Sequence, residues 1–255
     1  MLFRSAEEYG ALGVSGPGAY FGPRAAPLGA ASEQLIIATF YNFSPRAVRS
    51  GTEGLWQKAS PEALQAARFR AVRRGLDRVA VGLTTAQVDE ARSIIDPVVA
   101  QLDLAGKPLG AANAGLTLPD DPLVALWQQV TVLREFRGDA HISLLVANEI
   151  GPCDCLVVQV GTGRFPLGLA RGTRQWNEAE WAASIQRLAE RGWVDEHGAM
   201  TEAGTDARER LETDTDRACV AIWDDVDDAS GRRLNDLIAP IHAAMDAAGT
   251  YRALA

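Results

Sequence analysis

The sequence contains few cysteines and histidines and no long apolar run. Its three cysteines, Cys153, Cys155 and Cys219, are too few and odd in number for a disulfide scaffold. Its three histidines are scattered along the sequence, unlike the clustered ligands of a zinc site. No segment reaches the ~18 consecutive apolar residues of a membrane span, and the N-terminus is charged where a signal peptide is apolar. The sequence therefore predicts a cytoplasmic protein without a membrane segment.

Positive charge is also in deficit, because 25 Lys and Arg stand against 33 Asp and Glu. A chain with a net charge of −8 is not expected to be drawn as a whole to nucleic acid or to an anionic membrane. The sequence lacks a P-loop, a dinucleotide-binding glycine pattern, a nucleophile motif and a metal triad. Hydride transfer and covalent hydrolysis are therefore not favoured, and we expect no cofactor and no metal.

The longest helical pattern in the chain runs from Asp121 to Glu149. Asp121 is a suitable N-cap and Pro122 suits the first turn. Apolar residues recur at helical spacing and form a stripe, which consists of Leu123, Leu126, Trp127, Val130, Leu133, Leu144 and Leu145. This stretch predicts a long, largely buried central helix.

A polar patch interrupts this helix in its middle. Arg134, Arg137 and His141 share one face, and Gly138 lies among them. A patch of this kind is typical of a pocket wall. It is equally typical of structural ion pairs, which Glu135 and Asp139 could supply. The sequence leaves both interpretations open.

The first 30 residues are rich in glycine and proline and predict an irregular segment. It is either an N-terminal cap or a loop that lays Tyr20, Phe21 and Arg24 over a site. Short helices follow, with serine N-caps at Ser32, Ser44 and Ser60. Residues 41–80 carry eight Lys and Arg against three Asp and Glu, which indicates either an anion-binding surface or a solvated helix face.

The last third of the chain is acidic. Residues 176–230 contain fifteen Asp and Glu against five Arg. Asn177 and Glu180 form a capping box at the start of a helix, and a short β-hairpin is predicted around residues 193–200. Before this region, the apolar run Cys155–Val160 indicates a strand or another buried segment.

Residues 187–216, RLAERGWVDEHGAMTEAGTDARERLETDTD, resemble the end of a MarR-type winged-helix domain. Over nearly its full length the chain resembles an actinobacterial family of MarR-related winged-helix (helix-turn-helix) proteins. The motifs that carry this resemblance are RAAPLG (24–29), ATFYNFSP (38–45), SPEALQAAR (60–68), LREFRGDAH (133–141) and WNEAEW (176–181).

The resemblance implies a fold rather than a reaction. The expected fold class is mainly α with small β-hairpins (α+β). It consists of a helical N-terminal half and a C-terminal winged helix. The resemblance leaves open whether this arrangement is duplicated or pseudo-duplicated. We divide the chain into a helical domain of residues 1–118 and a domain of residues 119–255. The second domain holds the long central helix, the winged helix and the C-terminal helix.

DNA binding does not follow from a winged helix alone. A DNA-reading helix needs side chains directed at base edges and cations for phosphates. The candidate reading helix, residues 177–191, begins with Glu178 and Glu180, and the tip of its wing carries Asp195 and Glu196. These carboxylates repel a duplex, so DNA is possible as a partner but disfavoured.

We therefore predict a small-molecule-binding winged-helix protein that has lost DNA reading. Its partner would be an anionic metabolite of specialised metabolism, which it sequesters or transforms. Arginine forks suit an anionic group, and His141 or Asp139 could move a proton. The candidate ligand-binding residues are Arg24, Tyr20, Tyr41, Asn42, Arg134 and Arg137. The family motifs, rather than any visible geometry, bring Tyr20, Tyr41 and Asn42 into this set.

Two other functions stay open at this stage. One is a MarR-like, ligand-responsive transcriptional regulator, which would bind DNA as a dimer. The other is a protein-interaction module, in which the acidic segment of residues 223–228 meets a basic partner protein. The sequence decides neither between a monomer and a homodimer nor whether the protein is an enzyme.

Overall fold

A computed structural model describes residues 6–78, 82–163 and 165–248. The first half of this part contains helices α1 Ala6–Gly10, α2 Gly18–Ala25, α3 Glu33–Thr39, α4 Pro45–Thr52, α5 Leu55–Lys58, α6 Pro61–Arg78, α7 Thr85–Ala100 and α8 Pro108–Ala114. The second half contains α9 Pro122–Ala147, α10 Asp154–Gly161, α11 Leu167–Arg174, α12 Glu178–Glu190, α13 Glu202–Val220 and α14 Asp228–Ala247. Short 3₁₀ turns follow α2 and α13.

The expected fold class, mainly α with small β-hairpins, is wrong, because the residues described contain no β-strand. The predicted hairpin is a loop, residues 193–200, closed by a single antiparallel bridge between Val194 and Met200. The side chain of Asp195 accepts the backbone N–H groups of His197 and Ala199. Because Thr201 already caps α13, no residues remain to extend the bridge into a ladder.

Two further expectations about secondary structure are also corrected. The run Cys155–Val160 lies within α10, because a short apolar run does not distinguish a strand from a buried helix. The glycine-rich N-terminal segment is not irregular, since it holds α1 and α2, and α2 continues through Pro23. Residues 1–5 of that segment lie outside the described residues.

The predicted central helix is confirmed as α9, with Asp121 capping the backbone N–H groups of Leu123 and Val124. It packs against α7, α8 and α13, so both halves of the chain share it. At Gly110 of α8 the two backbones approach so closely that a Cβ atom would lie 3.1 Å from the Cα atom of Phe136. A larger residue at this crossing would force α8 and α9 slightly apart.

Separate apolar cores pack against α9. One joins α10, α12 and α13 through Leu156, Trp181, Leu188 and Leu211. In another, α14 packs on α7 through Leu234 and other apolar residues, and Arg233 pairs with Glu90. The C-terminal helix thus returns to the N-terminal half. None of the helices described is long and apolar enough to cross a membrane.

Candidate functional site

A cleft of about 260 Å³ lies where the N-terminal helices, α9 and the α10–α11 pair meet. Six of the eight candidate residues line it, although they come from three distant parts of the sequence. They are Tyr20, Arg24, Tyr41, Asn42, Arg134 and His141. The two remaining candidates, Arg137 and Asp139, are not among the residues that line the cleft.

Aromatic rings and guanidinium groups alternate along one wall of the cleft. The guanidinium carbon of Arg24 lies 4.2 Å from the centre of the Tyr20 ring, and that of Arg174 lies 4.4 Å from the centre of the Phe43 ring. The two rings are neighbours, with centroids 5.2 Å apart. Stacking on a ring restrains the plane of a guanidinium group while leaving its N–H edge available for hydrogen bonds.

Positive charge predominates in the cleft. Arg24, Arg134 and Arg174 line it together with one carboxylate, Glu135, which Arg134 already contacts. No carboxylate in the described part of the chain lies within ion-pair distance of Arg24. The described surroundings therefore leave the cleft with a net positive charge.

A buried arginine adds to this charge from behind the wall. Arg68 is 8% exposed and stacks on Trp127. Its Nη1 atom is 3.4 Å from the carbonyl oxygen of Pro23 and from Oδ1 of Asn113. Burial, with a smaller contribution from Arg24, lowers the pKa of Arg68 to about 10, so it stays protonated at neutral pH.

Among the titratable side chains that line the cleft, histidine is the type whose ordinary pKa lies closest to physiological pH, and His141 is the histidine there. It projects from α9 on the same face as Arg134. Burial lowers its pKa from the usual value of 6.5, and Arg137 and Arg208 act in the same direction, whereas Glu212 opposes them. The ring is therefore uncharged at neutral pH and can accept a hydrogen bond or a proton.

Asp139 and Arg137 form structural contacts elsewhere. The Oδ2 atom of Asp139 accepts the backbone N–H groups of Leu109 and Gly110, at 2.9 and 2.8 Å, which fixes the first turn of α8 to α9. Arg137 pairs with Glu212 and Asp216 of α13. The ion-pair interpretation of the patch is therefore confirmed for Arg134, which pairs with Glu135 as the sequence suggested, whereas Arg137 pairs with acids of α13 that the sequence did not suggest.

Tyr41 and Cys155 line the cleft with groups that are already engaged. The hydroxyl of Tyr41 donates to the carbonyl oxygen of Ile150 at 2.6 Å, and burial raises its pKa. The thiol of Cys155 donates to the carbonyl oxygen of Pro152, and burial raises its pKa to about 12. Neither group is a nucleophile at neutral pH.

The segment of residues 42–46 lies on the turn between α11 and α12. The backbone N–H of Ser44 donates to the carbonyl oxygen of Arg174 at 3.0 Å, and Nε1 of Trp176 donates to the carbonyl oxygen of Asn42 at 3.0 Å. Arg46 reaches the carbonyl oxygen of Gln175 and forms an ion pair with Glu180. The N-terminal half therefore contacts the first turn of α12 directly.

The outer surface of α12 carries little free positive charge. Its exposed residues are Glu178, Ala179, Ala182, Ala183, Gln186, Arg187 and Glu190. Arg187 is paired with the buried carboxylate of Asp154. The adjoining loop exposes Asp195 and Glu196. This surface offers poor contacts to the phosphates of a duplex.

Comparison with known proteins matches a family model described as a helix-turn-helix family over residues 3–252. The chain belongs to this helix-turn-helix family. No curated protein matches the chain, and no solved structure matches it either. The helix-turn-helix assignment fits the order of α10, α11 and α12, with residues 175–177 as the turn between the last two.

Several residues of the helix-turn-helix protein's cleft were missed by the sequence analysis, notably Arg174, Phe43 and Gln159. The sequence does not predict Arg174 in this set, because nothing in the local pattern places it beside Phe43. The WNEAEW motif that follows it is the nearest signal, since Trp176 bonds to Asn42. That bond brings α11 to the aromatic wall.

Proposed function

We propose that this helix-turn-helix protein binds a small anionic molecule in the cleft between its N-terminal half and α9–α11. The observation that supports this most strongly is the excess of guanidinium groups over carboxylates there. Arg24 lacks a carboxylate partner among the described residues, so its charge is available to a ligand. Carboxylates, phosphates and sulfates all suit arginine forks.

The aromatic wall suggests which part of the ligand is not charged. Tyr20, Phe40, Tyr41 and Phe43 line the cleft beside the arginines. A ligand with a flat apolar portion would cover these rings while its anionic group meets Arg24 or Arg174. Burial of apolar surface contributes about 25 cal/mol per Å², and the arginines would set the orientation.

A proton-transfer role belongs to His141 rather than to Asp139. His141 lines the cleft and is uncharged at neutral pH, whereas Asp139 is bound to backbone N–H groups. If the protein transforms its ligand, arginines would stabilise the developing negative charge and His141 would accept the proton.

A ligand-responsive DNA-binding regulator is the second candidate, and the helix-turn-helix family favours it. Recognition helices contact bases through their N-terminal residues. In this chain that end of α12 carries Glu178 and Glu180, and Arg46 contacts it. Binding of DNA through α12 would require this contact to open, and the acidic loop at Asp195 and Glu196 would oppose it.

Thermal unfolding with added phosphate, sulfate and a series of carboxylates tests the first candidate. A ligand at 100 times its dissociation constant stabilises the fold by about 2.7 kcal/mol. The informative variant is Arg24→Gln, because removal of Arg24 leaves no described carboxylate without its partner. The matched control is Arg49→Gln, which removes the same charge from an exposed pair with Glu33, away from the cleft.

The expected result is a stabilisation that Arg49→Gln retains and Arg24→Gln loses. Equal stabilisation of both variants would place the anion elsewhere on the surface. Titration with mixed-sequence duplex at several salt concentrations tests the second candidate. Tight, salt-dependent binding that is weakened by substitutions on the outer face of α12 would favour the regulator.

A further inference from the structure

Thr215 of α13 lies behind His141 and is completely buried. Its hydroxyl oxygen is 2.7 Å from the carbonyl oxygen of Leu211, in the preceding turn of the same helix. It is also 2.9 Å from Nδ1 of His141. One hydroxyl group therefore contacts two partners at hydrogen-bond distance.

The two contacts together restrict where the imidazole hydrogen lies. A threonine hydroxyl has a single hydrogen to donate and can also accept. The Leu211 carbonyl can only accept, so the hydroxyl hydrogen is directed to it. The contact with Nδ1 is then satisfied only if Nδ1 donates its own hydrogen to the threonine oxygen.

We infer that Thr215 is a positioning residue that fixes the tautomer of His141, with the hydrogen on Nδ1 and with Nε2 left as the acceptor for a ligand in the cleft. The role of Nε2 rests on the proposed ligand-binding function. The tautomer itself depends only on hydrogen bonds within the protein.

The charged groups around the ring are compatible with this arrangement. Glu212, from α13, favours the protonated ring, whereas Arg137 and Arg208 disfavour it, and burial is the largest influence of all. Glu212 is itself held by Arg137 and Arg208. No carboxylate therefore takes over the role of Thr215 at Nδ1 among the hydrogen bonds described.

The fixed tautomer narrows the class of ligand. A neutral ring with an unprotonated Nε2 accepts a hydrogen bond and does not donate one there. Beside the arginines, this acceptor suits an anion that also carries a hydroxyl or N–H group. A simple anion without such a donor would leave Nε2 without a partner in a partly desolvated site.

Long-range ¹H–¹⁵N correlation spectroscopy of the labelled full chain tests the inference. The nitrogen shifts of a neutral imidazole distinguish the protonated ring nitrogen from the unprotonated one. Only three histidines are present, so the spectrum of His141→Gln identifies the His141 signals. At neutral pH we expect Nδ1 to be protonated and Nε2 to be unprotonated in the wild type.

Two variants separate the role of the hydroxyl from that of packing. Thr215→Val keeps the shape of the side chain and removes the hydroxyl, so the preference for the Nδ1 hydrogen should be lost. Thr215→Ser keeps the hydroxyl and should retain the wild-type pattern. If Thr215→Val does not fold, Thr215→Ala removes the same hydroxyl and takes its place.

A wild-type spectrum with the hydrogen on Nε2 would overturn the inference. So would a hydroxyl-free variant that folds and keeps the wild-type nitrogen shifts. All of these spectra are recorded in the absence of any ligand. A wrong inference about the tautomer can therefore be distinguished from an absence of anion binding, which is detected only in the thermal measurements.

Discussion

Arg137 and Glu212 join α9 to α13, with Nη2 of the arginine 2.9 Å from a carboxylate oxygen of the glutamate. The same nitrogen also lies 2.9 Å from Oδ1 of Asp216, so one guanidinium group holds two acidic side chains. This contact flanks His141, whose own partner Thr215 lies between the two acids in sequence. The charge of Arg137 therefore stabilises the helix pair that supports the cleft.

Arg137→Ala is expected to destabilise the fold by about 1 kcal/mol. Exposed ion pairs contribute about 0.2–1 kcal/mol each, and this guanidinium is partly exposed but bonds to two partners. The free energy of unfolding in urea measures the effect. The matched control is Arg217→Ala, which breaks a single, more exposed pair with Asp214 and should cost less. A larger loss in the control would contradict the structural role of Arg137.

Asp139 is expected to matter for stability through its acceptor atoms and not through its charge. Asp139→Ala leaves the backbone N–H groups of Leu109 and Gly110 without their buried acceptor and should cost about 1–3 kcal/mol. Asp139→Asn keeps a carbonyl oxygen in the same place. Because burial raises the pKa of Asp139, the neutral amide should be tolerated better than alanine. Equal losses in urea unfolding would contradict this explanation.

The helix caps, and the residues that share one face of α9, could be predicted from the sequence. Asp121, Ser44 and Asn177 cap α9, α4 and α12 as their patterns indicate, because a cap involves only residues within one turn. Arg134 and His141 reach one cleft, since helical spacing places them on one face.

The remainder depends on contacts between distant segments. Arg137 lies close to the same face of α9, yet the acids of α13 bind it, and no pattern within α9 indicates those partners. The same holds for Thr215, whose importance comes from its contact with a residue 74 positions away. Whether residues 193–200 form a hairpin or a bridged loop depends on where Thr201 begins α13.

Acidification should destabilise the wild type partly through His141. Burial lowers the folded-state pKa of this histidine below the usual value of 6.5. The unfolded chain therefore takes up the proton first, and stability is lost as the pH falls through 6.5 towards the folded-state pKa.

His141→Gln removes this titration, so the free energy of unfolding should fall less steeply than in the wild type over that range. The control is His197→Gln, which changes an exposed side chain on the loop of residues 193–200 and should keep the wild-type slope. Parallel slopes for all three proteins would exclude a buried, neutral His141. Denaturant titrations at a series of pH values provide the comparison.

The hydrogen-acceptor role of Nε2 predicts a preference between two nearly identical anions. Mandelate carries a carboxylate, a flat ring and a hydroxyl, whereas its O-methyl ether carries the first two only. If Nε2 accepts the hydroxyl hydrogen, mandelate should bind the wild type more tightly. A hydrogen bond of about 0.5–1.5 kcal/mol corresponds to roughly a 2- to 13-fold difference in affinity.

Calorimetric titration of both compounds into the wild type, Thr215→Val and Arg24→Gln resolves the separate contributions. The preference for mandelate should shrink in Thr215→Val, because the ring then also adopts the tautomer that carries a hydrogen on Nε2. Both compounds should weaken together in Arg24→Gln, because that variant removes the contact they share. If the wild type binds the ether as tightly as mandelate, Nε2 does not accept a hydrogen from the ligand, although the arginine-lined cleft would still bind anions.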